Sequence, residues 1–114
     1  MNIVKTIPAK LSKKELYQLT MSPKAQKVSD AEGSVLEIKA SCLYEDTDET
    51  TGEVRTILSF LTEDVEIFGT NSATFQKDYS AMCELFGDEP FPIEVISGTS
   101  KAGRKFYTCA YAGD

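Results

Sequence analysis

The chain contains no histidine and no tryptophan, and its only cysteines, Cys42, Cys83 and Cys109, stand far apart. Histidine shuttles protons near neutral pH and, with cysteine, builds most zinc sites. Its absence also removes the ordinary base for a serine or cysteine nucleophile. The expectation is a protein that is not an enzyme and uses neither metal nor cofactor. An odd set of cysteines among apolar neighbours reads as reduced thiols packed as small hydrophobes, with no disulfide. Long apolar runs are missing too, which argues against a helical membrane span, and the opening MNIVKTIPAK has no apolar signal core. The expected compartment is the cytoplasm.

Basic residues are scarce, twelve against eighteen acidic ones, for a net charge of -6. That balance disfavours the broad cationic surface of a duplex-binding protein. The cations that are present gather at the chain ends. Residues 1–28 hold six lysines against Glu15, residues 29–96 hold three basic groups against sixteen acidic ones, and residues 97–114 hold three basic groups against Asp114. With 114 residues, 41% of them hydrophobic, the chain suits one ordinary globular domain.

Ser12 and Glu15 have the spacing of a capping box, which predicts a short helix over 13–21, with Pro23 discouraging continuation. A lysine-rich connector, 24–33, follows and completes an N-terminal extension over 1–33. Apolar and polar residues then alternate through 35–44, the two-residue period of a first strand. The acidic stretch 45–53 ends on Thr51-Gly52 and reads as a hairpin loop into a second strand over 54–61. It lacks the ligand order, the mid-loop glycine and the flanking helices of an EF-hand, so a solvated hairpin is expected. A turn at 62–64 leads to a third strand at 65–69. Ser72 is an N-cap candidate, and Phe75, Tyr79, Met82, Cys83 and Phe86 recur at helical spacing until Gly87. Strands at 91–96 and 105–111, joined through Gly98 and Gly103, complete the chain.

The order β-β-β-α-β-β over 34–114 is that of the OB fold, a five-stranded barrel with a helix at one end. The expected architecture is therefore mainly β: an OB barrel with an N-terminal helical extension. OB domains hold oligonucleotides across their second and third strands, with aromatic faces for bases and cations for phosphates. Candidate aromatics on the strands are Tyr44, Phe60, Phe68, Phe106, Tyr107 and Tyr111, and candidate cations are Lys39, Arg55, Lys101, Arg104 and Lys105. Phe60 and Phe106 share their alternation with apolar or small neighbours and read as core. Tyr44 and Phe68 end their strands beside polar loops and suit core and surface equally. Lys101, Arg104 and Lys105 either solubilise a glycine-containing hairpin or meet phosphate there.

Three stretches carry a family likeness: Asn2-Ile3-Val4-Lys5, then Glu32-Gly33-Ser34-Val35-Leu36-Glu37 leading to Tyr44, then Val95-Ile96-Ser97-Gly98-Thr99-Ser100-Lys101-Ala102-Gly103 before an aromatic pair. In order and spacing the chain resembles the single-stranded DNA-binding proteins of small Bacillus phages that replicate by protein priming. The resemblance spans nearly the whole chain. It implies an OB-type fold that coats single-stranded DNA during phage replication in the host cytoplasm, with base stacking at the positions of Tyr44 and Phe68. A family tyrosine of the first hairpin has no aromatic counterpart in the acidic 45–53 stretch. The capped N-terminal helix exceeds the family pattern and is a candidate for self-association, with monomer and homodimer both open.

The expected partner is thus single-stranded DNA, bound with little sequence preference, with replication proteins as further partners and no membrane. A rival expectation starts from the acidic middle of the chain. It is a protein-interaction module for a replication or host-defence protein, in which the carboxylates of 45–66 mimic phosphates.

Overall fold

The computed structural model describes residues 1–113. Its centre is the long hairpin of β4 (Ile38–Thr47) and β5 (Val54–Thr62), in register from Tyr44 opposite Ile57 to Asp46 opposite Arg55. A turn in which the Val65 N–H donates to the Thr62 carbonyl joins β5 to β6 (Ile67–Thr70). Val65 takes φ 62 there, a left-handed conformation that a strand cannot continue, and so β6 begins later than the expected residue 65.

The N-terminal residues, read as an extension, are woven into this sheet. β1 (Asn2–Ile7) pairs antiparallel with β4, while β2 (Gln26–Lys27) pairs parallel with β6. The sheet order is β1-β4-β5-β6-β2, so one N-terminal segment supplies both outer strands. The expected helix forms as α1 (Lys13–Thr20) with its capping box complete: the Ser12 hydroxyl accepts from the Glu15 N–H, and the Glu15 carboxylate accepts from the Ser12 N–H.

A second sheet contains β3 (Val35–Leu36), β7 (Ile93–Thr99) and β8 (Lys105–Tyr111) in the order β3-β7-β8. β3 and β4 are one run of chain interrupted at Glu37, and through it the backbone passes from one sheet to the other. Between the sheets lies the main core, with Phe60, Phe75, Ile93 and Val95 all 0% exposed. α2 (Ala73–Phe86) starts where the Ser72 hydroxyl accepts from the Phe75 N–H and stops at Gly87. Its buried Phe75, Tyr79 and Cys83 recur every four residues and so share one face. The Tyr79 hydroxyl bonds Ser41 at 2.8 Å, and the Thr108 hydroxyl bonds Asp78, fixing the helix to both sheets. Stacked rings of Phe91, Phe86 and Tyr111 extend this packing to the last strand.

A smaller apolar cluster forms on the opposite face of the five-stranded sheet, where Leu19 of α1 packs with Ala40, Cys42, Tyr44, Leu61 and Ile67. The fold is mainly β, as expected, but in place of the expected five-stranded barrel it has two sheets whose strands do not close. β6 has β5 and β2 as neighbours, and β8 has only β7. A 3-10 turn, Val28–Ala31, follows β2 and inserts Val28 and Ala31 into the main core. Segment 26–31 thereby occupies ground that a β6–β8 pairing would otherwise use. Among the described residues no helix is long and apolar enough to cross a membrane.

Candidate functional site

Along β5, Leu58 and Phe60 point into the main core, so Arg55 and Ile57 project from the opposite face of the sheet. Gly69 shares that face, because its neighbour Phe68 is in the core. Here the unclosed seam opens into a cleft of about 680 Å³. Ile57 and Gly69 form its floor, Lys27 borders it from β2, and Lys105, Phe106 and Tyr107 border it from β8. Residues 70–72, which lead into α2, line one end.

Phe106 reaches the cleft because of the glycine opposite it. Gly98 is its cross-strand partner, and a Cβ at that position would come within 2.6 Å of the ring tip. With no side chain at residue 98, the ring can lie over β7. Lys105 places its Nζ 5.3 Å from the Tyr107 ring centroid, within cation–π range. Lys105 also lies 2.9 Å from the Glu32 carboxylate. Its bonds with Lys105 and Ser97 hold the Glu32 carboxyl below its usual range, while Glu32 raises the Lys105 ammonium. Arg55 sits 3.8 Å from Asp48, whose carboxyl is lowered first by the Thr50 and Thr51 amides of the hairpin loop. Both ion pairs are solvent-facing and hence weak, so either cation can exchange its carboxylate for another anion at little cost.

Of the residues singled out from the sequence, Arg55, Lys105 and Tyr107 converge on this cleft. Lys101 and Arg104 do not line it. They are exposed at the β7–β8 turn, where Ser100 and Arg104 are joined by a backbone bond and Gly103 takes φ 78. Lys39 stands apart in a groove beside α1, near Glu15.

Tyr44 and Phe68 are 7% and 3% exposed and have no free ring face for a base. Tyr44 belongs to the cluster beneath α1, and burial pushes its hydroxyl upward. Phe68 belongs to the core between the sheets. Stacking at these two positions is thereby corrected to a packing role. Phe60 is in the core as expected, whereas Phe106, also read as core, is half-buried at the cleft.

Lys27 is a cleft cation that sequence reasoning missed, and Phe106, weighed as a base contact but read as core, lines the cleft. A glycine within a strand often marks a close approach by a neighbour, and Gly98 opposite Phe106 is such a signal. Nothing local marks Lys27, whose position depends on a two-residue parallel pairing with a strand far along the chain. The thiols lie elsewhere: burial raises Cys42 to about 11 and Cys109 to about 12, which keeps both protonated at neutral pH. Comparison with known proteins finds no matching family, no curated relative and no matching solved structure.

Proposed function

We propose that this chain is an OB-type module that binds single-stranded DNA through the cleft across β5 and β6. The observation that carries the reading is the convergence of Phe106 and Tyr107 with Lys27, Arg55 and Lys105 on one open face. Aromatic faces accept unpaired bases of any identity, and cations beside them neutralise the intervening phosphates. The order of β3–β4, β5, β6, α2, β7 and β8 agrees with a partly open OB barrel, in which oligonucleotides lie across the second and third strands. The acidic 45–53 hairpin and the net charge of -6 repel a duplex from the remaining surface.

Bases in a duplex are stacked on each other and offer no free face, so the cleft selects single strands. In the setting suggested by the sequence resemblance, the role is to coat template strands during phage replication in the host cytoplasm. The chain itself carries out no chemistry and needs no cofactor.

The test is titration of labelled oligo(dT), and of a duplex of equal length, at low and moderate salt. The single strand should bind more tightly, and its affinity should fall with salt through the few cations engaged. Tyr107→Ala should lose about 1 to 3 kcal/mol of binding. Equal affinity for both forms, or no binding of either at micromolar protein, refutes the proposal. A complex insensitive to salt would favour a protein partner instead.

A further inference from the structure

α1 docks through Leu19, which is 2% exposed, yet Tyr17 on the same helix is 52% exposed. Lys14 is one turn before Tyr17, on the same side of the helix. Together with Lys24, Gln26 and Val65 they border a groove of about 650 Å³ between α1 and the β5–β6 turn. This groove opens on the same face of the sheet as the cleft. Ile67 lines the groove and Gly69 the cleft, and they are alternate residues of β6. Gln26 lines the groove and Lys27 the cleft, and they are adjacent in β2. Two residues of strand span about 7 Å, roughly two nucleotides at about 3.4 Å each along a stacked strand. The two depressions thus border neighbouring stretches of β6 and β2, about two residues apart along the strands.

We propose that this groove is a second section of the single-strand path, with Tyr17 as a stacking platform and Lys14 and Lys24 as phosphate contacts. The inference rests on the cleft reading above and extends it to a surface that the fold does not otherwise use. The chemistry repeats that of the cleft, an aromatic face flanked by cations. Glu66 also lines the groove, so the phosphates run along the Lys14 and Lys24 side, away from it.

Binding of end-labelled oligo(dT) of about 5 and about 15 nucleotides, lengths within the usual range for one OB domain, separates the two sections. Tyr17→Ala should lower affinity for the longer strand about tenfold, as loss of one stacked base does, and leave the shorter strand unaffected. Tyr17→Phe should retain affinity, because the ring face remains. Lys14→Ala combined with Lys24→Ala should reduce the salt slope for the longer strand by about 2. Thermal melting of each variant verifies that it is folded. A folded Tyr17→Ala protein with unchanged affinity for the longer strand overturns this inference and leaves the cleft reading standing. A wild-type protein that does not bind the shorter strand, or a Tyr107→Ala variant that binds it normally, overturns the cleft reading and this inference with it.

Discussion

Tyr44 separates packing from recognition most sharply, because its sequence context suits both and its surroundings allow only one. Its ring is enclosed beneath α1 with Leu19, Cys42 and Leu61. Tyr44→Ala should cost about 3 to 5 kcal/mol of folding stability, while the fraction that remains folded binds oligo(dT) as wild type does. Melting and titration of one preparation check both halves. No alternation pattern could have resolved this position, since the helix that covers it is encoded some two dozen residues earlier and leaves no mark on the strand. Gly98 makes the converse case. Its Cβ would meet only the far end of the Phe106 ring, a group that can swing away. Gly98→Ala should therefore lower DNA affinity in the same direction as Phe106→Ala, with little change in melting temperature. A large loss of stability would show instead that the close approach is structural.

At the scale of elements, sequence and structure agree where a segment carries its own signal. α2 is framed by Ser72 and Gly87, and its apolar residues recur at helical spacing between them. Ser72→Ala should remove the cap bond to the Phe75 amide and cost about 1 kcal/mol, measurable by chemical denaturation. β4 was legible through its two-residue alternation and β5 through its run of apolar and β-branched residues, each element being nine or ten residues long. β1 was not, because only Ile7 of its six residues is buried, and a register shift between Ile3 and Lys5 breaks the period. β2 and the turn after it are too short for any period. Val28 and Ala31 are buried by distant partners, in a stretch that otherwise reads as a polar connector. The candidate site divides in the same way. Arg55, Lys105 and Tyr107 lie on strands that could be read, and Lys27 lies on one that could not.

For the molecule as a whole, the buried thiols set a limit on the alkaline side. Cys42 and Cys109 stay protonated in the fold up to about 11 and about 12, against an ordinary value of 9.0. The folded state thus holds protons that the unfolded chain releases. Their contribution to stability is complete below pH 9 and is lost as pH rises through the folded values. Denaturation midpoints should be insensitive to these groups from pH 7 to 9 and fall above that, and Cys109→Ala should make the fall less steep. The pairing of β1 and β2 with opposite sides of the sheet has a further consequence, for synthesis on the ribosome. Residues 1–27 precede both strands that receive them, β4 ending at Thr47 and β6 at Thr70. The opening segment can dock through β1 once β4 is made, but its β2 end stays unpaired until β6 appears some forty residues later, and such long-range closures are slow. Its high lysine content suits that interval, since a charged nascent segment stays solvated and resists premature collapse until its two partner strands appear.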